Sequence, residues 1–191
     1  MKGRIAVLAG GTGALGQSVT MRFLAEGAVA CVPFAVPAER DALSNRIEPA
    51  TRARLHFTEA DVTDEASFGA FVKGVLDTHG RIDVLVNGVG GFAGGDLLST
   101  SLADWNRMMA LNLTSAVIGC RAVLPAMTAA GGGRIVNIAS RAVVPPLGGF
   151  IALTSRRSER GTENRCVSRT ARGCGLTTTG LPVTRLANRP G

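Results

Sequence analysis

Tyrosine is absent from this 191-residue chain, and aromatic residues make up only 4% of it. No phenol can therefore take part in an acid–base step here. Histidine is almost absent too, with only His56 and His79. His56 falls inside an expected strand. His79 falls at the C-terminal end of an expected helix, where a cation complements the helix dipole. Both are read as structural. The four cysteines (Cys31, Cys120, Cys166 and Cys174) show no Cys-x-x-Cys pairing and no accompanying histidine. That spacing supports neither a zinc site nor a disulfide framework, so free thiols and no metal are expected. No uninterrupted apolar run approaches the ~20 residues that span a bilayer. Lys2 and Arg4 ahead of Ile5–Ala9 faintly resemble a signal peptide, but the run is too short and feeds directly into a glycine loop. The expectation is a first strand in a cytoplasmic protein with no membrane partner.

The formal net charge of +7 suggests a nucleic-acid partner until it is located. Residues 1–153 carry 13 Lys+Arg against 12 Asp+Glu, whereas residues 154–191 carry 8 Arg against 2 Glu. The basicity thus belongs to the C-terminal segment. That segment has no aromatic residue for base stacking, and nucleic acid is not an expected partner. It is also poor in apolar residues and reads as loop or disorder. Two units are expected: a folded domain over 1–153 and a basic tail over 154–191.

What the chain does have is a glycine loop in a telling context. Ile5–Leu8 is apolar, Ala9-Gly10-Gly11-Thr12-Gly13-Ala14-Leu15-Gly16 follows, and a helical pattern runs from Ala14 to about Glu26. Strand, glycine turn and helix together make a pyrophosphate site, because backbone N–H groups and the positive helix end face the anion. Gly10 permits the sharp turn, Gly13 and Ala14 permit close approach of phosphates, and Gly16 permits close packing of helix on strand. Further strands are expected at Val29–Val32, Arg54–Thr58, Ile82–Val86 and Arg134–Ala139. Helices are expected from Pro37 to Ile47, from Asp64 as cap to Thr78, and from Ser101 to Ala129 through Trp105, Met108, Met109, Leu111, Val117 and Leu124. The alternation predicts an α/β Rossmann-type doubly wound parallel sheet in three α/β/α layers, incomplete at its C-terminal side. At the end of the second strand, Pro33 and Phe34 offer neither an acid for a ribose nor a base for a 2′-phosphate, and Arg40 reads as solvated. The cofactor choice therefore stays open.

Five motifs in order resemble those of the short-chain dehydrogenase/reductase family, across about residues 4–153. They are the glycine loop, Asp61-Val62, Asn87-Gly88-Val89-Gly90, Leu111-Asn112-Leu113, and Gly133-Arg134-Ile135-Val136-Asn137-Ile138-Ala139-Ser140. The resemblance implies hydride transfer between NAD or NADP and a small alcohol or carbonyl compound. It implies cofactor contacts at Gly10, Thr12, Gly13, Leu15, Gly16, Asp61, Val62, Asn87, Gly88 and Gly90. It implies that Ser140 hydrogen-bonds the substrate oxygen and that Asn112 positions a water in a proton relay. It also implies a homo-oligomer through the 101–129 helix.

The family's catalytic tyrosine and the lysine four residues later fall here on Leu153 and Arg157. Leucine has no proton to exchange, and arginine does not replace lysine. Composition changes at the same place: 23 of residues 154–191 are Arg, Gly, Ser or Thr. Either the chain is a degenerate family member, or the reading frame of a GC-rich gene shifts near codon 153. The family's partner helix for the 101–129 helix lies in this altered segment, so the expected oligomer is weakened.

Overall fold

The computed structural model describes residues 1–94 and 98–139, and the strand at 175–177. Six parallel strands form one sheet in the order β3-β2-β1-β4-β5-β6. They are β1 (Ile5–Ala9), β2 (Val29–Phe34), β3 (Leu55–Glu59), β4 (Val84–Asn87), β5 (Arg134–Asn137) and β6 (Gly175–Thr177). The helices are α1 (Ala14–Ala25), α2 (Pro37–Arg46), α3 (Pro49–Arg52), α4 (Glu65–His79), α5 (Leu102–Met109) and α6 (Ser115–Ala129). This is the expected doubly wound Rossmann-type sheet. β6 pairs Gly175 with Arg134 and Thr177 with Val136, so three residues of the basic segment extend the sheet.

Strand periodicity divides the core in two. Ile5, Val7 and Ala9 of β1, Cys31 of β2, Leu85 of β4 and Ile135 of β5 face α4 and α6, and meet Phe68, Phe71, Val72, Val75, Ile118, Val123 and Met127. The alternate residues Ala6, Leu8, Ala30, Val32, Val84 and Val86 face α1 and α2, and meet Leu24, Leu43 and Ile47. Both faces of β1 are covered, as its uniformly apolar sequence requires. Asp64 caps α4 by accepting a hydrogen bond from the Ser67 amide at 2.6 Å, and Gly80 ends that helix in the left-handed conformation.

β2 runs two residues further than expected, through Pro33. Proline within a strand loses a ladder donor. The Val29 amide donates to the Arg4 carbonyl just ahead of β1, and the Ala30 amide donates to the Arg54 carbonyl beside β3. By alternation, position 33 faces β1 at Leu8, whose carbonyl already accepts from the Gly11 amide. Pro33 therefore costs no hydrogen bond, because the glycine turn has taken its acceptor.

The 101–129 helix is not uniform. A π turn at Ala110–Thr114 separates α5 from α6. Val117, one of the apolar residues along the expected helix, is 49% exposed, whereas Ile118, Val123 and Met127 are buried in the core. Leu102–Ala129 spans 28 residues and contains a window of mean hydropathy 1.4, which by length and composition alone could cross a membrane. Asn106, Arg107, Asn112 and Arg121 interrupt the helix, so it contains no single long apolar run. His79 also differs from expectation. Its ring packs 5.1 Å from that of His56, and burial first, then the charge of His56, lower its pKa. The site favours a neutral ring over a dipole-complementing cation. Cys31 and Cys120 are free thiols, and burial pushes the Cys31 thiol up to about 12. Cys166 and Cys174 lie outside the described residues.

Asp83 ties the lower ends of β1 and β4. Its side chain is 5% exposed, accepts from the Ile5 amide at 2.9 Å and from Arg4 at 2.7 Å, and pairs with Arg81. Burial pushes its carboxyl up, but the Ile5 N–H and the two guanidiniums outweigh that and hold it below the usual range. A carboxyl depressed in the folded state stabilises the protein above its unfolded pKa, and the contribution is lost as pH falls through the folded value. Asp83→Ala should cost about 1.5–3 kcal/mol at pH 7 in urea unfolding, from bonds to a charged group. The difference from the parent should shrink below about pH 4. A difference independent of pH would show that the charge of Asp83 is not what stabilises the fold.

Candidate dinucleotide site

The strand order reverses between β1 and β4, and ligands in such sheets bind at the carboxyl ends beside that reversal. Ala9, Asn87 and Asn137 stand in register across β1, β4 and β5. The loops leaving them are stitched together: the Gly88 amide donates to the Ala9 carbonyl at 2.9 Å, and the Ile138 amide to the Asn87 carbonyl at 3.0 Å. A narrow cleft opens there between Leu8–Gly11, Leu15, Gly16, Val19, Val86, Gly88 and Ile138.

The glycines of the first loop separate into those the protein itself requires and one it does not. Gly10 has φ +79°, and a Cβ on it would stand 2.8 Å from Gly88 backbone atoms. A Cβ on Gly16 would stand 1.8 Å from the Gly10 carbonyl oxygen. Gly11 is closed in by Thr20, whose hydroxyl donates to the Gly11 carbonyl at 3.0 Å. Gly13, in contrast, has an ordinary extended conformation, and its added Cβ would meet only the Gly10 carbonyl, at 3.5 Å. Nothing in the described chain requires glycine at position 13. The helix it opens has no acidic residue in its first turn and no side-chain cap, which leaves the positive end of α1 to an anion. Leu15, 60% exposed, sits on this same turn.

Asp61 and Val62 follow β3. The Thr63 hydroxyl at 2.6 Å and the Thr63 amide at 2.8 Å both donate to Asp61 Oδ1 and lower its pKa in that order. The carboxylate is thus held charged and aimed by its own turn.

Asn87 is 6% exposed and turned into the protein. Its Nδ2 donates to Asn137 Oδ1 at 2.8 Å, and its Oδ1 is buried against Gly119 of α6, where even a Cβ would stand 2.4 Å away. That oxygen has no hydrogen-bond partner among the described residues. The Asn87 side chain locks β4 to β5 and α6, and Gly88 of the following loop lines the cleft. Asn137 completes this lock. It stands in the Gly133–Ser140 motif, but strand periodicity gives no sign that it pairs with Asn87.

Asn112 lies in the π turn. Its Oδ1 accepts from the Gly91 amide at 3.1 Å, and its Nδ2 donates to the Gly91 carbonyl at 3.1 Å and the Met108 carbonyl at 3.0 Å. The amide thereby clamps the β4 glycine loop to the helix. A Cβ on Gly90 would stand 3.0 Å from Asn112 Oδ1, and one on Gly91 would stand 2.7 Å from Leu111. Ser140, Leu153 and Arg157 lie outside the described residues. No group of three or more potential metal ligands occurs among the described residues.

Residues 4–155 match the model of the short chain dehydrogenase family. The 2-(R)-hydroxypropyl-CoM dehydrogenase of Xanthobacter autotrophicus is 33% identical over 165 residues, covering 81% of this chain and 63% of that protein. An uncharacterized oxidoreductase of Bacillus subtilis, YvrD, is 32% identical over 180 residues, covering 93% of this chain and 66% of that one. The chain therefore spans less than two thirds of the length of either curated relative. Among solved structures, a metagenomic short-chain oxidoreductase in complex with NADP superposes with a TM-score of 0.73 at 31% identity, over 81% of this chain and 70% of that one. From the switch-point loops, the sheet order and these matches, the chain belongs to the short-chain dehydrogenase family.

Proposed function

We propose that this chain binds NAD or NADP across the β1–α1 loop, the Asp61 turn and the β4 loop, as an oxidoreductase of small alcohols or carbonyl compounds whose turnover is impaired. The observation that carries the binding half is Gly13, a glycine that protein packing does not explain, at the start of a helix whose own first turn has no acidic residue. A pyrophosphate lying against the backbone explains it. Gly10, Thr12, Leu15 and Gly16 shape that cradle, Asp61 and Val62 take the adenine end, and Gly88 and Gly90 line the far wall. Asn87 and Asn112 act by holding that wall.

When bound, the nicotinamide gives or takes a hydride. The protein must then supply or remove one proton at the substrate oxygen. Ser140, by family position, hydrogen-bonds that oxygen, and Asn112 stands on the helix that would carry a water to it. Leu153, where a phenol is expected, has nothing to donate, and Arg157 cannot be exchanged for an acidifying lysine. A shift of reading frame near codon 153 accounts for both positions and for the arginine-rich composition after them. A second reading, a dinucleotide-binding protein without turnover, is favoured by the same missing tyrosine. Oligomerisation would use the exposed side of α5 and α6, where Leu102 is 80% and Val117 49% exposed. Its family partner helix falls in the altered segment, so the association is weak. A cytoplasmic protein with no nucleic-acid or membrane partner fits this reading.

Gly13→Val should fold with an unchanged melting temperature and lose dinucleotide binding by calorimetry, whereas Gly16→Ala should fail to fold stably. Unaltered affinity in a folded Gly13→Val protein would remove the loop from the site. In nicotinamide absorbance assays over a panel of ketones and secondary alcohols, turnover should be at least about a hundredfold below that of an intact relative, the worth of a general acid–base. Leu153→Tyr alone should recover little, and a frame-restored chain should recover most of it. Robust turnover by the chain as it stands would sink the claim of impairment. Sedimentation at rising concentration should show self-association that Val117→Asp reduces; a stable tetramer indifferent to that change would place the interface elsewhere.

A further inference from the structure

We infer that Glu39 makes this site prefer NAD over NADP, by setting a carboxylate against the glycine loop where an adenosine 2′-phosphate would have to lie. The inference rests on the dinucleotide reading above. In doubly wound folds the group that meets the adenosine ribose follows β2: an acid accepts from the ribose hydroxyls, and a base takes the 2′-phosphate. Here β2 ends in Pro33-Phe34, and neither side chain can do either. The first turn of α2 replaces them. Glu39 reaches back from that turn, and its Oε2 accepts from the Thr12 hydroxyl at 3.0 Å. Thr12 is the third residue of the glycine run and is only 4% exposed, so its hydroxyl is committed to the carboxylate. A carboxylate has about four acceptor positions, and one is used by Thr12, which leaves it able to accept from a ribose diol. A phosphate in the same place would meet a like charge with no donor between them.

The bases nearby are engaged elsewhere. Arg40 lies over the Phe34 ring, 5.0 Å from its centroid, and its Nε and Nη2 bond Asp41 at 2.8 and 2.7 Å. Arg46 bonds Gln17 Oε1 at 2.6 Å, and Gln17 in turn donates to the Thr12 carbonyl at 2.9 Å. This network fixes the loop from the α2 side, and Glu39 is its member on the Thr12 side chain. Arg46 meets the neutral amide of Gln17 and not the Thr12 side chain, whereas Glu39 bonds that side chain directly, so the charged group nearest a 2′-phosphate beside Thr12 is a carboxylate.

Calorimetric titration of the full chain with NAD and with NADP tests this, alongside Glu39→Gln and Arg40→Ala. Glutamine keeps an acceptor for Thr12, and the melting temperature of that variant should match the parent. NAD should bind at least about tenfold tighter than NADP, or ~1.4 kcal/mol. Glu39→Gln should narrow that ratio mainly by tightening NADP, and Arg40→Ala should leave the ratio within about twofold. Equal binding of the two dinucleotides, an unchanged ratio in Glu39→Gln, or loss of NADP binding in Arg40→Ala would overturn the assignment while leaving the dinucleotide site intact. Binding of neither dinucleotide by folded parent protein would overturn the site itself, and this inference with it.

Discussion

Between Gly16 and the carbonyl of Gly10 there is no room for one more carbon atom. That contact presses α1 against the end of β1, and much of the upper edge follows from it. It lets the Gly11 amide turn back onto the Leu8 carbonyl. This in turn frees β2 to pass through a proline at the one place where its missing donor goes unnoticed. It brings Thr20 under Gly11 and opens the end of α1 toward the switch point. The same packing isolates Gly13, whose small size no neighbour demands. A Cβ at position 13 would meet only the Gly10 carbonyl, so the size of that side chain is set by nothing in the described packing.

The fold was legible because its signals were local and strong. Apolar runs of β1 and β4, the Asp64 cap, the proline opening α2 and the alternation of strand and helix each point to one answer. Strand ends were less legible. β2 passes Pro33 because of a hydrogen bond made by a different strand, which no window along β2 contains. The interruption at Ala110–Thr114 was invisible for a related reason. A π turn follows from what Asn112 bonds across space, and apolar periodicity through Met108, Leu111 and Leu124 continues across it. The extra residue in the turn rotates α6 relative to α5 and leaves Val117 half exposed.

The places of the motifs in the chain were legible, and the directions of their side chains were not. The glycine loop, Asp61 and Gly88 follow the carboxyl ends of β1, β3 and β4, yet not every polar side chain of the motifs turns outward. Asn87 is turned inward to Asn137 and Gly119, and Asn112 is spent on Gly91 and Met108. Such inward polar residues shape a loop by satisfying its backbone, and π turns near functional sites often arise this way. Glu39 was missed for the converse reason: the residue answering for the ribose comes from a helix after the strand, and only the bond to Thr12 reveals it.

The two halves of the expected chemistry also lie on different stretches of chain. Everything that shapes the candidate cradle is in place by Ile138, on a sheet whose two faces are covered by α1 and α2 on one side and α4 and α6 on the other. The positions for moving a proton lie beyond it, at Ser140, Leu153 and Arg157. The two described core clusters are built from residues up to Ile138. Substitutions in the core open cavities that typically cost about 2–5 kcal/mol each. The residues proposed to recognise a dinucleotide and those expected to move a proton therefore sit on separate stretches of chain, and substitutions in one set can be made without touching the other.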